Sequence, residues 1–355
     1  MHLKTMLTNY DLTRLTEPLL TWYASHARAL PWREEPTPYR VWVSEVMLQQ
    51  TRVEAVKPYF TRFMTALPTV ADLAACEEDR LLKLWEGLGY YNRARHMQTA
   101  ARTVMSEYGG ELPADFDALL SLPGIGRYTA GAIASIAFGL PVPAVDGNVL
   151  RVLMRVTADD SDITRASVRA EAEHRLAEVL PAGRVSDYNQ ALMELGALVC
   201  VPNGEPLCES CPWHPLCEAR RQGIFMQLPV KRKPRARRVE ERTVLLIRDD
   251  DRIVLDKRPE HGLLAGMYEF PNVTGHLSPG EVIQEVRRMH FTPLQVTRLP
   301  DAKHVFSHVE WHMWGYQIRA DSLAEEEPAL PFVRISDVRG RMAIPSAFSA
   351  FTEYL

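Results

Sequence analysis

A short glycine-bearing turn near the middle of the chain limits the fold more than any other feature. The run Leu122-Pro123-Gly124-Ile125-Gly126-Arg127-Tyr128-Thr129-Ala130-Gly131 predicts the end of one helix, a tight turn and the start of a second helix. Gly124 and Gly126 allow positive φ and let another backbone come close. Amides at the start of the second helix would face an anion, which the helix dipole favours. The turn therefore predicts a helical fold that grips a nucleic-acid phosphate through Gly124, Ile125 and Gly126.

An acidic residue follows at the start of the next predicted helix. The run Val145-Asp146-Gly147-Asn148-Val149 puts Asp146 where an N-cap residue belongs, and Asp is among the residues preferred there. Taken singly, Asp146 is a helix cap and the glycine turn is an ordinary helix connection. Together they place a carboxylate beside a phosphate-binding turn, which favours an enzyme that acts on DNA.

Length and composition indicate a globular protein large enough for two domains. The chain has 355 residues, of which 46% are hydrophobic and 24% are charged. Its first residues lack the pattern of a signal peptide, and the most apolar stretch, residues 131–145, is shorter than a membrane span. We therefore expect a cytoplasmic protein, nucleoid-associated if bacterial, that is monomeric and makes no membrane contact. The net charge of −4 means that affinity for DNA must come from local patches.

The hydrophobic pattern changes after about residue 220. Apolar residues first recur at three- and four-residue spacing, which predicts helices, and later runs predict strands at 242–248, 252–257 and 304–318, with a helix at 280–289. We predict an all-α domain over residues 1–220, a basic linker over 221–240 and an α+β domain over 241–355. Six basic residues in 231–238 are most simply a solvated linker, which beside DNA would add salt-dependent affinity. The predicted helices span residues 39–50, 53–67, 79–88, 92–108, 115–122, 128–138, 147–157, 165–180 and 187–199.

Four of the five cysteines lie within eighteen residues, separated by seven, two and five residues: Cys200, Cys208, Cys211 and Cys217. A cytosolic chain seldom keeps such cysteines as disulfides, so the cluster suits zinc or a [4Fe–4S] cluster. Zinc ribbons usually present two separated C-x2-C pairs, whereas this loop has one pair and four prolines, which favours the iron–sulfur cluster. His214 is an outside candidate ligand, and the isolated Cys76 is predicted to be a small buried residue.

Several further strings belong with the glycine turn, residues 145–148 and the cysteine loop. They are Leu30-Pro31-Trp32-Arg33, Trp42-Val43-Ser44-Glu45-Val46-Met47-Leu48-Gln49-Gln50-Thr51-Arg52, Gly87-Leu88-Gly89-Tyr90-Tyr91 and Phe306-Ser307-His308. Over nearly its whole length the chain resembles the helix-hairpin-helix DNA glycosylases of the endonuclease III superfamily, and within them the adenine DNA glycosylases of the MutY type. The chain departs from that family in having seven residues, rather than six, between the first two cysteines, which bears on the shape of the loop.

This resemblance implies a DNA repair enzyme that hydrolyses the N-glycosidic bond of adenine mispaired with 8-oxoguanine or guanine in double-stranded DNA. The base would be flipped out of the stack, and an abasic site would remain. The resemblance also implies a six-helix region at about 30–140, and an iron–sulfur subdomain formed by the N-terminal helix with residues 141–220.

The resemblance assigns chemistry to four side chains. Glu45 would protonate adenine N7 and later handle water, with its pKa raised by burial, while Asp146 stays ionised and stabilises the sugar. Tyr128 stands where bifunctional relatives carry a lysine, so the reaction would stop at base release. Its hydroxyl would hydrogen-bond near Asp146, and Asn148 would orient Asp146 or the water. Taken singly, Glu45 is a solvated helix residue and Tyr128 is a core aromatic.

The resemblance also implies contacts with the substrate. Arg33 and Gln190 would line the base pocket. Other residues would fill the vacated stack and touch 8-oxoguanine: Leu48, Gln50, Thr51 and Tyr90. The C-terminal domain resembles a Nudix fold without the metal-binding signature, since residues 280–289 offer only Glu281 and Glu285. It would read the lesion, rather than hydrolyse a nucleotide, through Phe306, Ser307 and His308.

Two other functions fit parts of the sequence. A bifunctional glycosylase for pyrimidine lesions would share the fold, although Tyr128 argues against its lysine chemistry. A non-catalytic DNA-binding or redox-sensing iron–sulfur protein would share the cysteines, although Glu45 and Asp146 argue against it.

Overall fold

The computed structural model describes residues 6–232, 236–321 and 330–355. The chain divides into two compact units, residues 1–75 with 96–233 and residues 76–95 with 234–355. The limits predicted at residues 220 and 240 stay a prediction, and parts of the predicted first domain and linker, residues 1–5 and 233–235, lie outside the described residues. Within the described ranges, no helix is both long and apolar enough to cross a membrane.

Residues 6–232 are mainly helical, and each helix predicted between residues 39 and 199 is present with ends that agree within three residues. The helices are α1 (Met6–Asn9), α2 (Thr13–His26), α3 (Pro31–Glu34), α4 (Pro38–Leu48), α5 (Val53–Ala66), α6 (Val70–Ala75), α7 (Glu78–Trp85), α8 (Asn92–Glu107), α9 (Phe116–Ser121), α10 (Arg127–Ile136), α11 (Gly147–Thr157), α12 (Ala166–Ala177), α13 (Val185–Leu198) and α14 (Glu218–Arg221).

One core of the first unit joins the N-terminal helix α2 to α11, α12 and α13. Its buried members include Leu19 of α2, Leu153 of α11 and Tyr188 of α13. The indole of Trp213, in the cysteine loop, is buried in the same core and donates to the Leu15 carbonyl at 2.9 Å. The N-terminal helix therefore holds the cysteine loop against the helices that follow the glycine turn.

The C-terminal part of the second unit is an α+β fold, as predicted. Its elements are β1 (Arg238–Asp249), β2 (Arg252–Val254), β3 (Asp256–Lys257), β4 (Tyr268–Glu269), β5 (Asn272–Thr274), α15 (Pro279–Arg288), β6 (Thr292–Val305), β7 (Val309–Asp321), β8 (Phe332–Arg334), α16 (Ile335–Arg341) and α17 (Ser349–Thr352).

The main sheet has the strand order β6-β7-β1-β2-β8, and β5 also pairs with β1. β1 and β7 run parallel, whereas the other pairs are antiparallel. Along β1, Val244 and Leu246 join one hydrophobic cluster, and Leu245 and Ile247 join another. Because successive strand residues face opposite sides, both faces of the sheet are buried along this part of β1.

The predicted helix at 280–289 is α15, and both of its acids have partners within residues 278–288. Glu281 forms a capping box with Ser278, and Glu285 pairs with Arg288 of the same helix. The predicted strand run at 304–318 is interrupted at 306–308, where β6 turns into β7. This turn carries the residues predicted to read the lesion.

Candidate active site

A pocket of about 1110 Å³ lies in the first unit and brings together most of the predicted site. It is lined by residues of α3, α4, α10, α11 and α13, together with the segments around residues 28–30 and 124–126. The predicted residues on its wall are Arg33, Glu45, Leu48, Gln50, Thr51, Gly124, Gly126, Tyr128, Asp146, Asn148 and Gln190. The fold therefore gathers into one cavity side chains that are up to about 160 residues apart in the sequence.

Glu45 is a buried acid on α4, only 5% exposed. Burial raises its pKa to about 7; the charge of Asp146 adds to this rise, and the Tyr128 hydrogen bond and the Arg33 charge oppose it. Trp42 and Met47 on the same helix are buried too. A carboxyl with this pKa can carry a proton near neutral pH and release it, as a general acid must.

Asp146 is both the N-cap of α11 and a wall of the pocket. Its Oδ1 accepts from the Val149 amide at 2.7 Å, and its Oδ2 accepts from the Asn148 side-chain amide at 2.7 Å. Burial raises the pKa of Asp146, while the hydrogen bonds from Val149 and Asn148 lower it. Asn189 holds the preceding loop, since its side chain bonds the Ala144 amide and the Val142 carbonyl.

A buried arginine connects Asn148 to the cysteine loop. Arg151 donates to Asn148 Oδ1 at 2.9 Å, to the Gly196 carbonyl at 2.7 Å and to the Cys200 carbonyl at 2.8 Å. Gly196 must be glycine for α13 to pass so close, because a Cβ there would lie 2.7 Å from the Asn148 Cβ. The bond from Arg151, the bond to Asp146 and the close packing of Gly196 thus fix the orientation of the Asn148 amide.

Tyr128 contacts the other carboxyl. Its hydroxyl donates to Glu45 Oε2 at 2.5 Å and lies 3.6 Å from the Met193 sulfur. Burial and the neighbouring acids raise the pKa of this phenol well above its usual value, so it remains a hydrogen-bond donor. The hydrogen bond expected near Asp146 is therefore found at Glu45 instead.

The same pocket contains a charged group that the sequence did not predict. Glu194 on α13 is 1% exposed and binds Arg28 through two side-chain hydrogen bonds and Arg33 at 3.0 Å. Burial raises the pKa of Glu194, but the hydrogen bonds from Arg28 and Arg33 outweigh it and bring the value to about 2. Glu194 therefore stays ionised and holds both guanidinium groups at the pocket. In the sequence, the buried ion pairs of Glu194 were indicated only by the position of this glutamate on an apolar helix face, three residues after Ala191.

The residues predicted to fill the vacated stack lie where α4 ends. Leu48 is its last residue, and Gln50 adopts a φ of 60°, a conformation that is uncommon for a residue with a side chain. Gln50 is exposed, while Leu48 and Thr51 are partly exposed. On the far wall, the Gln190 amide donates to Ser186 at 3.2 Å.

The glycine turn joins α9 to α10, as predicted. Gly124 has a φ of +75°, and a Cβ there would lie 2.5 Å from the His96 Cβ, so only glycine fits. Gly126 does not use positive φ: it has a φ of −88° and serves as the N-cap of α10 without a side-chain hydrogen bond. Ile125 between them is buried. The first amides of α10 thus have no side-chain cap, which suits an anion at this end.

Four predicted recognition residues lie in the second unit. Tyr90 is 50% exposed with a φ of 49°, and its hydroxyl is 3.4 Å from the Ser307 hydroxyl. Ser307 and His308 are exposed in the turn between β6 and β7. The Phe306 ring packs edge-on against buried Trp311, with 4.9 Å between ring centroids. This turn therefore exposes the side chains of Ser307 and His308, and the packing of the Phe306 ring holds the turn in place.

The four clustered cysteines line one small cavity of about 30 Å³, and none forms a disulfide. Arg155 donates to the Cys200 sulfur at 3.4 Å. His214 lines the same cavity, but its Nδ1 hydrogen-bonds the Cys208 carbonyl. Within the described residues, no group of three or more His, Cys, Asp or Glu side chains is arranged to hold a single metal ion. Cys76 lies elsewhere, in the second unit, and is buried as predicted.

Comparisons with known proteins cover both units. A family model described as HhH-GPD superfamily base excision DNA repair protein matches residues 43–178, and one described as NUDIX domain matches residues 243–354. Adenine DNA glycosylase of Rattus norvegicus is 37% identical over 384 residues, which cover 91% of this chain and 74% of that protein. The Homo sapiens adenine DNA glycosylase is 36% identical over 379 residues, which cover 90% and 68%. A solved structure of a trapped endonuclease III–DNA covalent intermediate aligns with a TM-score of 0.51 and 29% identity, over 59% of this chain and 96% of that one.

Proposed function

We propose, since this chain belongs to the adenine DNA glycosylase family, that it hydrolyses the N-glycosidic bond of adenine mispaired with 8-oxoguanine and leaves an abasic site. One observation carries the proposal. Glu45, whose pKa is about 7, shares a single pocket with Asp146, which caps a helix and accepts two hydrogen bonds. This pairs a proton donor with a carboxylate, as glycoside hydrolysis requires.

In the proposed reaction, the flipped adenine enters the pocket beside Glu45. Protonated Glu45 donates its proton to adenine N7, the C1′–N9 bond breaks, and its electron pair stays on the departing base. The Asp146 carboxylate stabilises the positive charge that develops at C1′ and the ring oxygen. A water molecule then adds to C1′, and its proton returns to the Glu45 carboxylate, which restores the starting state.

Tyr128 supports a reaction that ends at base release. A lysine amine could attack C1′ and form an imine that permits strand cleavage, whereas a phenol cannot form an imine. The Tyr128 hydroxyl instead donates to Glu45. It therefore stabilises the ionised acid after the proton has been transferred, while Asn148 and Arg151 hold Asp146 in place.

Two sets of residues support recognition of the mispair. Arg33 and Gln190 line the pocket, where they would contact the flipped base. In the second unit, Tyr90 and Ser307 present neighbouring hydroxyl groups suited to the polar edge of 8-oxoguanine. The first amides of α10, after Gly126, would hold a phosphate of the same DNA.

The cysteine loop supports a [4Fe–4S] cluster held by Cys200, Cys208, Cys211 and Cys217. Burial and the neighbouring thiols raise the pKa of Cys208, Cys217 and Cys211, the last to about 12. Four cysteines line this one cavity, and four thiolates are the ligand set of a [4Fe–4S] cluster. When bound, the cluster would supply a cross-link between the end of α13 and the loop over 208–217.

Replacing Cys211 with serine should abolish the cluster and lower the thermal stability of the first unit. Cys211 lines the cavity with the other three cysteines, so its loss would leave the cluster one ligand short. Iron and acid-labile sulfide content, with the visible absorption spectrum, measure the loss. Cys76→Ser is the matched control and should keep full iron content. Stoichiometric zinc in a colourless wild-type protein would contradict the assignment.

The function itself is tested by single-turnover adenine release from otherwise identical duplexes that contain A:8-oxoguanine, A:G or A:C. We expect release to be fastest opposite 8-oxoguanine, slower opposite guanine and slowest opposite cytosine, with an abasic site as the product. Strand cleavage together with an adduct trapped by borohydride would show lyase chemistry and overturn the assignment of Tyr128. Tight binding without base release from any duplex would identify a non-catalytic DNA-binding protein.

A further inference from the structure

Residues 76–95 belong to the second unit and contain Tyr90, which is one half of the proposed lesion-reading site. This segment contains α7 and the loop that leads to Tyr90, and the other half of the site, Ser307, lies more than 200 residues further along the chain. The two hydroxyl groups are 3.4 Å apart, and both residues are exposed. Their spacing therefore depends on how firmly the segment is fixed to the C-terminal fold.

The start of α7 is fixed through Asp79. One carboxylate oxygen of Asp79 accepts from the Lys257 ammonium at 2.9 Å, and the other accepts from the Tyr268 hydroxyl at 2.9 Å. Lys257 and Tyr268 pair across the small β3–β4 sheet. A single side chain thus binds two adjacent strands, which restrains both the position and the rotation of α7.

The end of α7 is fixed by an ammonium that spans two backbone carbonyls. Lys83 donates to the Val338 carbonyl at 3.2 Å and to the Met342 carbonyl at 3.0 Å, and pairs with Glu86 at 2.7 Å. Glu86 in turn accepts from the Ile344 amide at 2.8 Å. The donors and acceptors are complementary, so sliding the segment along this surface would break several bonds at once.

A third attachment follows Tyr90. Arg95 donates to the Ala265 carbonyl at 2.6 Å and to Glu78 at 2.6 Å. The adjacent Gly266 has a φ of +62°, and a Cβ there would lie 2.8 Å from the Arg95 guanidinium. We call Asp79, Lys83, Glu86 and Arg95 the clamp; its members lie on both sides of Tyr90 in the sequence.

The other half of the reading site is held independently of the clamp. The Phe306 ring packs on Trp311, and the Phe306 carbonyl accepts from Arg237 at 3.0 Å. The His308 carbonyl accepts from the Arg238 amide at 3.2 Å, at the start of β1. Because the turn that carries Ser307 is fixed by its own strands, loosening the clamp would move Tyr90 relative to Ser307 rather than move both together.

We propose that the clamp residues are positioning residues for lesion discrimination: they hold the Tyr90 hydroxyl at Ser307, and so set how strongly the enzyme prefers 8-oxoguanine over guanine opposite adenine. The inference rests on the proposed function. It assigns no chemical step to the clamp, since adenine release is carried by Glu45 and Asp146 in the first unit. Loosening the clamp should therefore change the choice of mispair, with little effect on release opposite guanine.

The test compares Lys83→Met and Asp79→Ala with wild type, by single-turnover adenine release from A:8-oxoguanine and A:G duplexes. Hydrogen bonds of this kind are worth about a factor of ten, so each variant should lower the ratio of the two rates about tenfold. The loss should fall on the 8-oxoguanine duplex. Lys57→Met is the matched control, because Lys57 pairs only with Glu54 on the exposed face of α5 among the contacts described for it, and it should leave the ratio unchanged.

Each outcome decides the proposal. An unchanged ratio in both clamp variants would overturn it, and so would an equal loss on the two duplexes, which would mark the clamp as merely structural. Measuring the melting temperature of each variant separates an unfolded sample from a folded one with altered discrimination. If wild type itself fails to release adenine from either duplex, the proposed function fails, and that result is distinct from a failure of the clamp.

Discussion

Replacing Glu45 with glutamine should lower the single-turnover rate of adenine release by about 10²–10⁴-fold, the usual contribution of a general acid. This corresponds to about 3–5 kcal/mol of transition-state stabilisation. Glutamine keeps the size of the side chain and can accept from Tyr128, but it has no acidic proton for adenine N7. The rate is measured with enzyme in excess over an A:8-oxoguanine duplex, and Glu54→Gln, on the exposed face of α5, is the matched control.

The pH profile tests the same role independently. Glu45 must be protonated to donate, and its pKa is about 7, so the wild-type rate should be highest below pH 7 and fall as pH rises through it. The Tyr128 hydrogen bond lowers this pKa. In Tyr128→Phe the fall should therefore move to higher pH. A normal rate in Glu45→Gln, or a wild-type profile without this limb, would exclude Glu45 as the acid.

Replacing Asp146 with asparagine should lower the same rate by about 10²–10³-fold and cost only about 1 kcal/mol of stability, because asparagine keeps one acceptor oxygen and loses the bond from Asn148. Asn and Asp cap helices about equally well, so the bond from the Val149 amide can persist. The negative charge facing the developing cation is lost, and electrostatic groups of this type usually contribute a factor of that size. Thermal unfolding together with single-turnover release separates the two roles of the residue.

Asp115 offers a matched control for this substitution. It caps α9 by accepting from the Ala118 amide at 2.8 Å, and it does not line the pocket. Asp115→Asn should preserve both stability and rate. If Asp146→Asn lost stability while retaining its rate, Asp146 would be a structural cap and the proposed stabilisation of the sugar would be wrong.

The helical architecture follows closely from the spacing of apolar residues. α11 spans residues 147–157, as the pattern predicted, because its start is marked by Asp146 and its apolar residues repeat regularly. The glycine turn could be predicted equally well, because no side chain fits at Gly124 and the sequence therefore has glycine there. At Gly126 glycine is not required for backbone conformation, and its φ was not predictable.

The charged contacts of the pocket were much harder to predict. Glu194 lies 161 residues from Arg33, and its burial depends on how α13 packs against the loop before α3. A buried glutamate has the same sequence signature as an exposed one until its partners are known. The motif was enough to predict that the Tyr128 hydroxyl lies in the pocket. Whether this hydroxyl bonds Asp146 or Glu45 depends on how α4 and α10 pack, which the sequence does not give.

The discontinuity of the second unit changes what a truncation removes. Separating the two units requires the chain to be cut at three points, next to residues 75, 95 and 233. A single cut in the linker instead leaves residues 76–95 in the N-terminal fragment. Asp79, Lys83 and Glu86 then lose their partners in the C-terminal fragment, which are Lys257, Val338 and Ile344. Deleting the C-terminal region therefore also leaves these polar side chains without their partners in the part of the chain that is kept.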